Sequence, residues 1–246
     1  MIKDIYSDPE LYEAAHWWKT NDIEFIANAA AEFGGPVLEM ASGTGRLAYP
    51  ILEKGINYTG IELSSSFAKF ARKKLEKYGD LAQILEGDIR NIDLDQQFQF
   101  IFIGFNSIFH LLKNEDVALF LSCVYSHLLD DGLFLIDTFV PHPIFLYRAK
   151  QKYYVMEFDW PSGEHCIVNE TNHYDSDTQI NHIHWYFNTS EENEMDEYRF
   201  DMHMIFPDTM DRLLTEAGFV IKDKYGDYDK KPLGPESHLQ IYICGK

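Results

Sequence analysis

Short apolar segments and longer amphipathic segments alternate along the first 140 residues of the chain. The apolar runs, which are typical of buried strands, lie at 36–40, 57–62, 82–86, 98–104 and 133–138. Helical periodicity fills the intervals at 45–54, 67–79 and 114–129. Strands separated by helices of this length predict βαβ units, and therefore a parallel sheet covered by helices on both faces.

Two helices are predicted before the first strand. Asp8-Pro9 is a favourable helix start, and residues 10–19 follow it as a short helix. Thr20 or Asn21 is expected to cap a second helix, which ends at Gly34-Gly35. The sheet therefore begins only after two helical segments.

The C-terminal segment returns to the same architecture. A helix is predicted over 207–218, and two further strands are predicted at 219–225 and 238–244. Seven strands in this order predict the α/β class, with a Rossmann-like, doubly wound and mostly parallel seven-stranded sheet.

The pattern changes after Pro141. Residues 153–206 show little helical periodicity, and they contain three turn-forming clusters at 160–163, 175–177 and 191–193. This spacing predicts a small antiparallel β-meander, inserted at 150–206 into a single domain that spans 1–246. A cap over the substrate and a homodimer interface are both open as roles for the meander.

Composition excludes several classes of protein. No apolar run approaches the ~20 residues that a membrane-spanning helix needs, and the first residues lack the basic and apolar regions of a secretory signal. Cys123, Cys166 and Cys244 are far apart and odd in number, so no disulfide framework is expected. These features predict a cytoplasmic protein.

The chain is strongly acidic, with a formal net charge of −19. More than half of this charge lies in residues 153–206, which hold twelve acidic residues and one basic residue, for a net charge of −11. Such a surface repels phosphate, so neither nucleic acid nor an anionic membrane is expected as a partner. A solvated acidic face is the simpler interpretation, and attraction of a cationic small molecule is the alternative.

The most informative segment is 37–46, where a predicted strand leads into a Gly43-Thr44-Gly45 turn and then into a helix. Glycines in this context let the backbone approach a ligand closely. Taken alone, Gly43-x-Gly45-x-x-Ala48 also fits the dinucleotide-binding pattern, in which Gly45 opens the helix. An NAD-dependent oxidoreductase is therefore one candidate function.

Three acids lie near strand ends, and one of them, Glu39, discriminates between the ligands. Glu62 ends the second strand, 19 residues after Gly43, and is suited to bind the ribose hydroxyls of NAD or of S-adenosylmethionine. Glu39 ends the first strand, where its charge would repel a pyrophosphate and attract the ammonium of a methionine moiety. Asp88 follows the third strand and is suited to accept from an adenine amino group, while the Ile89 amide donates to the ring. The simpler interpretations are a carboxylate bound by backbone amides for Glu39 and an Asx turn for Asp88.

These segments resemble the class I S-adenosylmethionine-dependent methyltransferases over nearly the whole chain. The resemblance rests on residues 41–45, 59–64, 87–90, 105–111, 127–132 and 136–139. Ala41 stands where the commoner form of the glycine motif has a further glycine. The inserted meander and the run Tyr225-Gly226-Asp227-Tyr228 are similar to the small-molecule branch that includes the amino-sugar N,N-dimethyltransferases of antibiotic biosynthesis.

The resemblance implies S-adenosyl-L-methionine as the cofactor and assigns roles to individual residues. Candidate cofactor-binding residues are Tyr12, Glu39, Ala41, Gly43, Gly45, Arg46, Glu62, Leu63, Asp88, Ile89 and Phe105. Phe105 is expected beside the site of methyl transfer, and His110 is expected near the acceptor. Tyr6 and Tyr12 are both candidates for an N-terminal tyrosine that closes over the cofactor.

The implied reaction is an in-line displacement at a sulfonium, for which a protein supplies mainly alignment and exclusion of water. A base helps, because an ammonium acceptor must lose a proton before attack. His110 is the first candidate, since imidazole titrates near neutral pH, and Tyr6 and Tyr12 are further candidates. A structural hydrogen bond and simple packing are the simpler interpretations of these side chains. No metal is expected, because the histidines of the insertion lack the spacing of a structural zinc site.

Three functions follow from these features. Methyl transfer to a small-molecule amine or hydroxyl is favoured, with a small-molecule acceptor as the partner. An NAD-dependent oxidoreductase and a non-catalytic cofactor-binding module are the alternatives, since a fold does not guarantee an activity.

Overall fold

The computed structural model describes residues 2–160, 162–189 and 195–246. The chain forms two compact units. One consists of Met1–Thr20 and Pro141–Met204, and the other consists of Asn21–Val140 and Ile205–Lys246.

Twelve strands are present in the described residues. They are β1 (Ile2–Lys3), β2 (Val37–Met40), β3 (Tyr58–Glu62), β4 (Ala82–Glu86), β5 (Phe98–Ile103), β6 (Leu128–Phe139), β7 (Tyr153–Asp159), β8 (His165–Asp175), β9 (Ile180–Thr189), β10 (Met195–His203), β11 (Val220–Tyr225) and β12 (Leu239–Gly245).

Seven α-helices are present in the same residues. They are α1 (Pro9–Ala15), α2 (Ile23–Phe33), α3 (Ala48–Leu52), α4 (Ser65–Leu75), α5 (Asn114–His127), α6 (Pro143–Leu146) and α7 (Pro207–Glu216). None of these helices has the length and apolar character that crossing a membrane requires.

The second unit is built on a seven-stranded sheet with the order β11-β12-β6-β5-β2-β3-β4. The five strands from β2 to β6 are parallel, whereas β12 runs antiparallel to both β6 and β11. The predicted fold class, a mostly parallel seven-stranded sheet with a separate antiparallel sheet, is therefore confirmed.

The central strands carry apolar side chains on both faces, which explains why they appear in the sequence as continuous apolar runs. All residues of β2 and β3 are buried. Successive residues of β6 serve opposite faces: Leu135 joins the cluster formed with α2, α3 and α4, whereas Phe134 packs against Phe120 of α5 and against Phe219. Both faces are thus covered by helices.

Two helix starts differ from the prediction. α3 begins at Ala48 rather than at residue 45, because Gly43 and Gly45 adopt left-handed φ values of 57° and 75° and the chain is still turning there. The N-cap residue of α2 is Asp22 rather than Thr20 or Asn21, and its side chain makes no capping hydrogen bond. The Asp22 carboxylate instead binds Arg46.

The first unit contains the predicted antiparallel meander. Its five-stranded sheet has the order β1-β10-β9-β8-β7, in which β7 to β10 are antiparallel and β1 pairs with β10 in parallel. Alternate residues of β8 and β9 are buried, and α1 packs against β7. The third predicted turn, at 191–193, lies outside the described residues.

Gly60 is required where the glycine turn crosses β3. A Cβ atom at this position would lie 2.7 Å from both Cβ and Oγ of Ser42 and 2.9 Å from Cδ1 of Ile84. We therefore expect Gly60→Ala to lower the free energy of unfolding by about 1–3 kcal/mol, the usual cost of overpacking, as measured by urea denaturation. Gly234→Ala is the matched control, since a Cβ there meets nothing within 4 Å. Equal stability of the two variants would show that Ser42 does not pack on β3.

Candidate functional site

The carboxyl ends of β4, β3, β2 and β5 lie side by side, because these strands are parallel neighbours in the sheet. Open α/β sheets bind ligands at this edge. The glycine turn leaves β2 here, with Ala41, Gly43 and Gly45 all at positive φ. The Ser42 amide donates to the Ile61 carbonyl at 2.8 Å, which holds the turn against β3. A Cβ on Gly43 would project into open space, so the Gly43 backbone is accessible to a ligand.

Glu62 ends β3 directly beside the turn. Its Oε2 accepts a hydrogen bond from the Gly43 amide at 2.8 Å, and its Oε1 accepts one from the Ser64 amide at 2.7 Å. Burial raises the pKa of Glu62, and the Ser64 and Gly43 amides oppose that shift. The structure thus brings together the glycine and the carboxylate that the sequence places 19 residues apart.

Glu39 lies on β2 and is only 4% exposed. The Tyr58 hydroxyl donates to its Oε2 at 2.5 Å. Burial raises the pKa of Glu39 to about 8, while the Tyr58 hydroxyl and the charge of Arg46 act in the opposite direction. A side-chain hydroxyl, rather than the backbone amides considered from the sequence, is therefore the partner of this carboxyl group.

Sequence reasoning did not identify Tyr58. The residue begins β3, and the alternation of side chains along a strand places it on the same face as Gly60 and Glu62. Gly60 pairs with Glu39 in the sheet register, and its missing side chain leaves space on that face. The available signal was a tyrosine that stands two positions before a glycine and four positions before an acid.

Arg46 connects the glycine turn to the start of α2. Its guanidinium donates to both carboxylate oxygens of Asp22 at 2.7 Å, and Asp22 is fully buried. The same guanidinium lies 5.4 Å from the ring centroid of Phe105. Arg46, predicted as a cofactor-binding residue, is thus part of a buried ion pair that fixes the base of the turn and contacts another predicted site residue.

The carboxyl end of β5 forms a turn with unusual backbone geometry. Phe105 and Asn106 have left-handed φ values of 50° and 65°. The Asn106 amide donates to the Asp137 carbonyl at 3.2 Å, and its side-chain Oδ1 accepts from the Phe139 amide at 2.8 Å. These bonds attach the turn to β6, and they fix the start of the 3₁₀ turn Ser107–His110, which presents His110 as an exposed side chain.

Asp88 follows β4 and is bound by an arginine that sequence reasoning did not assign. The Arg90 guanidinium donates to both oxygens of Asp88 and also to Asp116 at 2.8 Å. Hydrogen bonds from Arg90 hold the pKa of Asp88 below its usual range. Gly87 donates to the Glu62 carbonyl at 3.0 Å, so Asp88 and Ile89 follow directly from the end of β3.

A second missed pair joins the C-terminal segment to β6. Asp137 is 2% exposed, and the Tyr228 hydroxyl donates to its two oxygens at 2.9 and 3.2 Å. Burial and the Asp137 charge raise the pKa of Tyr228 far above its usual value, so this hydroxyl remains a hydrogen-bond donor.

Three predicted residues differ from this group in their exposure or in the compact unit to which they belong. Leu63 follows β3 with 68% of its surface exposed. Tyr6 and Tyr12 belong to the first compact unit, where their rings are 5.9 Å apart and Tyr12 packs on His16 at 4.1 Å. The roles of these tyrosines at the cofactor remain predictions.

The histidines of the meander are paired with acids. His182 lies 2.7 Å from Asp201 and His184 lies 3.1 Å from Glu197. Across 2–160, 162–189 and 195–246, no group of three or more His, Cys, Asp or Glu residues is arranged to hold a metal ion.

The charge at the sheet edge fits a cationic ligand. Glu39, Glu62, Asp22 and Asp137 are all buried there, and Arg46 is already bound to Asp22. Those of these carboxyl groups that are ionised would repel a pyrophosphate and attract a sulfonium and an ammonium. The residues present therefore fit S-adenosylmethionine better than NAD.

Comparison with known proteins agrees with this geometry. A family model described as a methyltransferase domain matches residues 37–132. The glycine/sarcosine/dimethylglycine N-methyltransferase of Actinopolyspora halophila is 26% identical over 238 residues, which cover 94% of this chain and 40% of that protein. The CcbJ methyltransferase of Streptomyces caelestis has a TM-score of 0.82 at 19% identity, with 98% of each chain covered. The sugar N-methyltransferase KedS8 of Streptoalloteichus sp. has a TM-score of 0.72 at 18% identity, with 94% of this chain and 90% of that chain covered.

The chain spans 40–42% of the length of the first curated relatives that it matches. The matched segment contains β2 to β5, the glycine turn and the three predicted acids. Residues 37–132 therefore match a methyltransferase domain, and the chain has the fold of solved methyltransferase structures.

Proposed function

We propose that this protein transfers a methyl group from S-adenosylmethionine to an amine of a small molecule. The observation that carries the proposal is the group of buried carboxylates beside the glycine turn, with Glu62 bound to the Gly43 amide. The relatives named above include N-methyltransferases, which favours an amine over a hydroxyl as acceptor.

The cofactor supplies an activated methyl group on a sulfonium, and the protein's own residues bind, orient and deprotonate. Glu62 is suited to accept hydrogen bonds from ribose hydroxyls, and Glu39 is suited to face an ammonium. Asp88 and Ile89 are suited to an adenine edge. Phe105, held by the turn at the end of β5, would line the site, and His110 would accept the proton that an ammonium acceptor must lose before attack.

The net charge of the chain favours one class of partner, and its cysteines favour one cellular location. A net charge of −19 disfavours nucleic acid and anionic membranes, and it favours a cationic acceptor. Three free cysteines, all buried, fit a cytoplasmic location. We further propose that residues 1–246 form a single domain with an insertion at 150–206. The insertion either closes over the acceptor or forms a homodimer interface.

Removing the Glu62 carboxylate should weaken binding of the cofactor product. For Glu62→Ala we expect the affinity for S-adenosylhomocysteine to fall by about 1–3 kcal/mol, as calorimetry would measure, because a buried hydrogen-bonded carboxylate is lost. Glu86→Ala is the control: Glu86 pairs with Glu62 in the sheet register but is exposed, and its carboxylate contacts Ser65. Equal affinities for the two variants would remove Glu62 from the cofactor site.

The activity is tested with a panel of acceptors. Wild-type protein, S-adenosylmethionine and separate amino sugars, small amino acids and matched alcohols are incubated, and mass spectrometry records a gain of one methyl group. We expect methylated amines. Binding of S-adenosylhomocysteine without transfer to any compound would favour a non-catalytic module, and binding of NADH instead would favour an oxidoreductase.

A further inference from the structure

The carboxyl group of Glu39, which the proposed function places opposite an ammonium, is paired with the hydroxyl of Tyr58, to which that function assigns no role. Their oxygens are 2.5 Å apart, and the two residues are only 2% and 4% exposed. A carboxylate taken out of water needs strong compensation, from a cation or from several hydrogen bonds. In the described residues the compensation around Glu39 is small.

The charged groups that face Glu39 come from three elements. Tyr58 and Glu62 lie on β3, Arg46 lies on the glycine turn, and Asp22 precedes α2. Arg46 favours the ionised form of Glu39, and its guanidinium also donates to both carboxylate oxygens of Asp22. Asp22 and Glu62 carry like charges and oppose ionisation. Burial acts in the same direction and raises the pKa of Glu39 to about 8, so the protonated form predominates at pH 7.

We propose that Glu39 and Tyr58 form a proton-coupled recognition pair for the ammonium of the cofactor's amino-acid group. In the ligand-free protein the Glu39 carboxyl is neutral, which avoids a further buried charge among the acids. When the ammonium binds, the O–H bond of the carboxyl breaks and its proton passes to the solvent. The Tyr58 hydroxyl then donates to the resulting carboxylate, and the ammonium itself keeps its protons. This inference rests on the proposed function, because it requires a cationic cofactor at this edge.

The sign of the pH dependence follows from this exchange. Since the ligand binds the ionised form, its affinity should rise with pH from 6 to 8, by up to tenfold per pH unit, and then level off. Binding should therefore release most of one proton per ligand at pH 7, where the protonated carboxyl group predominates, and less at higher pH.

Calorimetry with S-adenosylhomocysteine tests the pair directly and requires no acceptor. Titrations at pH 7 in phosphate, imidazole and Tris buffers, which differ in ionisation enthalpy, give the number of protons released from the slope of the observed enthalpy. We expect close to one proton for the wild type. Glu39→Gln should release none, and its affinity should not change between pH 6 and 8.

Tyr58→Phe separates positioning from a purely structural role. Without the donor the carboxylate is less stable, so ionisation should require higher pH and the rise in affinity should move upward along the pH axis. At pH 7 the affinity should fall about tenfold while proton release is retained. A structural loss alone would lower affinity equally at every pH, and that result would remove Tyr58 from the pair.

Tight binding by the wild type with no proton release would overturn the proton coupling and leave the proposed function intact. Absence of any S-adenosylhomocysteine binding from pH 6 to 8 would instead contradict the proposed function, and the pair with it.

Discussion

Replacing Arg46 with alanine should lower the free energy of unfolding by about 3–5 kcal/mol, because the change removes the guanidinium that donates two hydrogen bonds to the buried Asp22 carboxylate. Asp22 is fully buried, and two hydrogen bonds of 2.7 Å join it to the guanidinium. Urea denaturation followed by circular dichroism measures the loss. The contact of the guanidinium with Phe105 adds to it.

Two further variants show whether the buried charge is the cause. Arg212→Ala removes an exposed ion pair with Glu216, at 49% and 60% exposure, and should cost no more than about 0.5 kcal/mol. In the Asp22→Asn Arg46→Ala double variant both members of the ion pair are neutral, so at least half of the lost stability should return. A double variant no more stable than Arg46→Ala would show that packing, rather than charge, explains the effect.

The sheet could be predicted from sequence because its strands are buried on both faces. Continuous apolar runs such as 36–40 and 98–104 exclude an exposed position, and helices of suitable length separate them. The glycine turn could be placed because it joins the first of these apolar runs to the helical segment that follows it. The strand order β11-β12-β6-β5-β2-β3-β4 was not predicted from sequence. It depends on the handedness of the crossovers and on the antiparallel pairing of the last two strands, and no single segment encodes either of these.

The helix starts were less predictable, because tertiary contacts decide them. Asp22 is a good capping residue by type, yet its carboxylate binds Arg46, 24 residues later in the chain. Ala41 holds a left-handed φ of 59°, which costs an L-residue about 1–2 kcal/mol, so the turn geometry is imposed by its surroundings. Local propensity indicates neither the bond between Asp22 and Arg46 nor the surroundings that impose the conformation of Ala41.

The acids of the candidate site could be predicted from the sequence, but the residues that bind them could not. Glu39, Glu62 and Asp88 were found because each lies at or just after the end of a strand, but the partners Tyr58 and Arg90 were not. An acid at the end of a strand is visible in a one-dimensional pattern. The donor that sets its protonation comes from a neighbouring strand or turn, and it becomes visible only with the register.

These partners alter the chemistry assigned to the acids. Three neighbouring carboxyl groups have three environments: Glu62 is bound by backbone amides, Asp88 by a guanidinium and Glu39 by a phenol. Their pKa values accordingly differ in direction, with Asp88 lowered and Glu39 raised. A cation arriving at this edge therefore meets acids with different readiness to ionise.

Replacing His110 with alanine should lower kcat by about 10²–10⁴-fold, the usual contribution of a positioned general base. His110 ends the 3₁₀ turn that follows Phe105 and Asn106, and that turn is attached to β6 by the Asn106 bonds to Asp137 and Phe139. The measurement uses an amine methylated by the wild type in the acceptor panel, with kcat and S-adenosylhomocysteine affinity determined for both proteins. The affinity should change less than twofold, because the backbone turn remains.

His110→Gln decides between proton transfer and positioning. Glutamine keeps a hydrogen-bonding side chain but accepts no proton, so it should be as slow as alanine if His110 is the base. The decline of wild-type kcat toward acidic pH should then disappear in both variants, since a base acts only when unprotonated. Recovery of kcat by glutamine would assign His110 to positioning of the acceptor, and an unchanged kcat in His110→Ala would exclude the residue from the reaction.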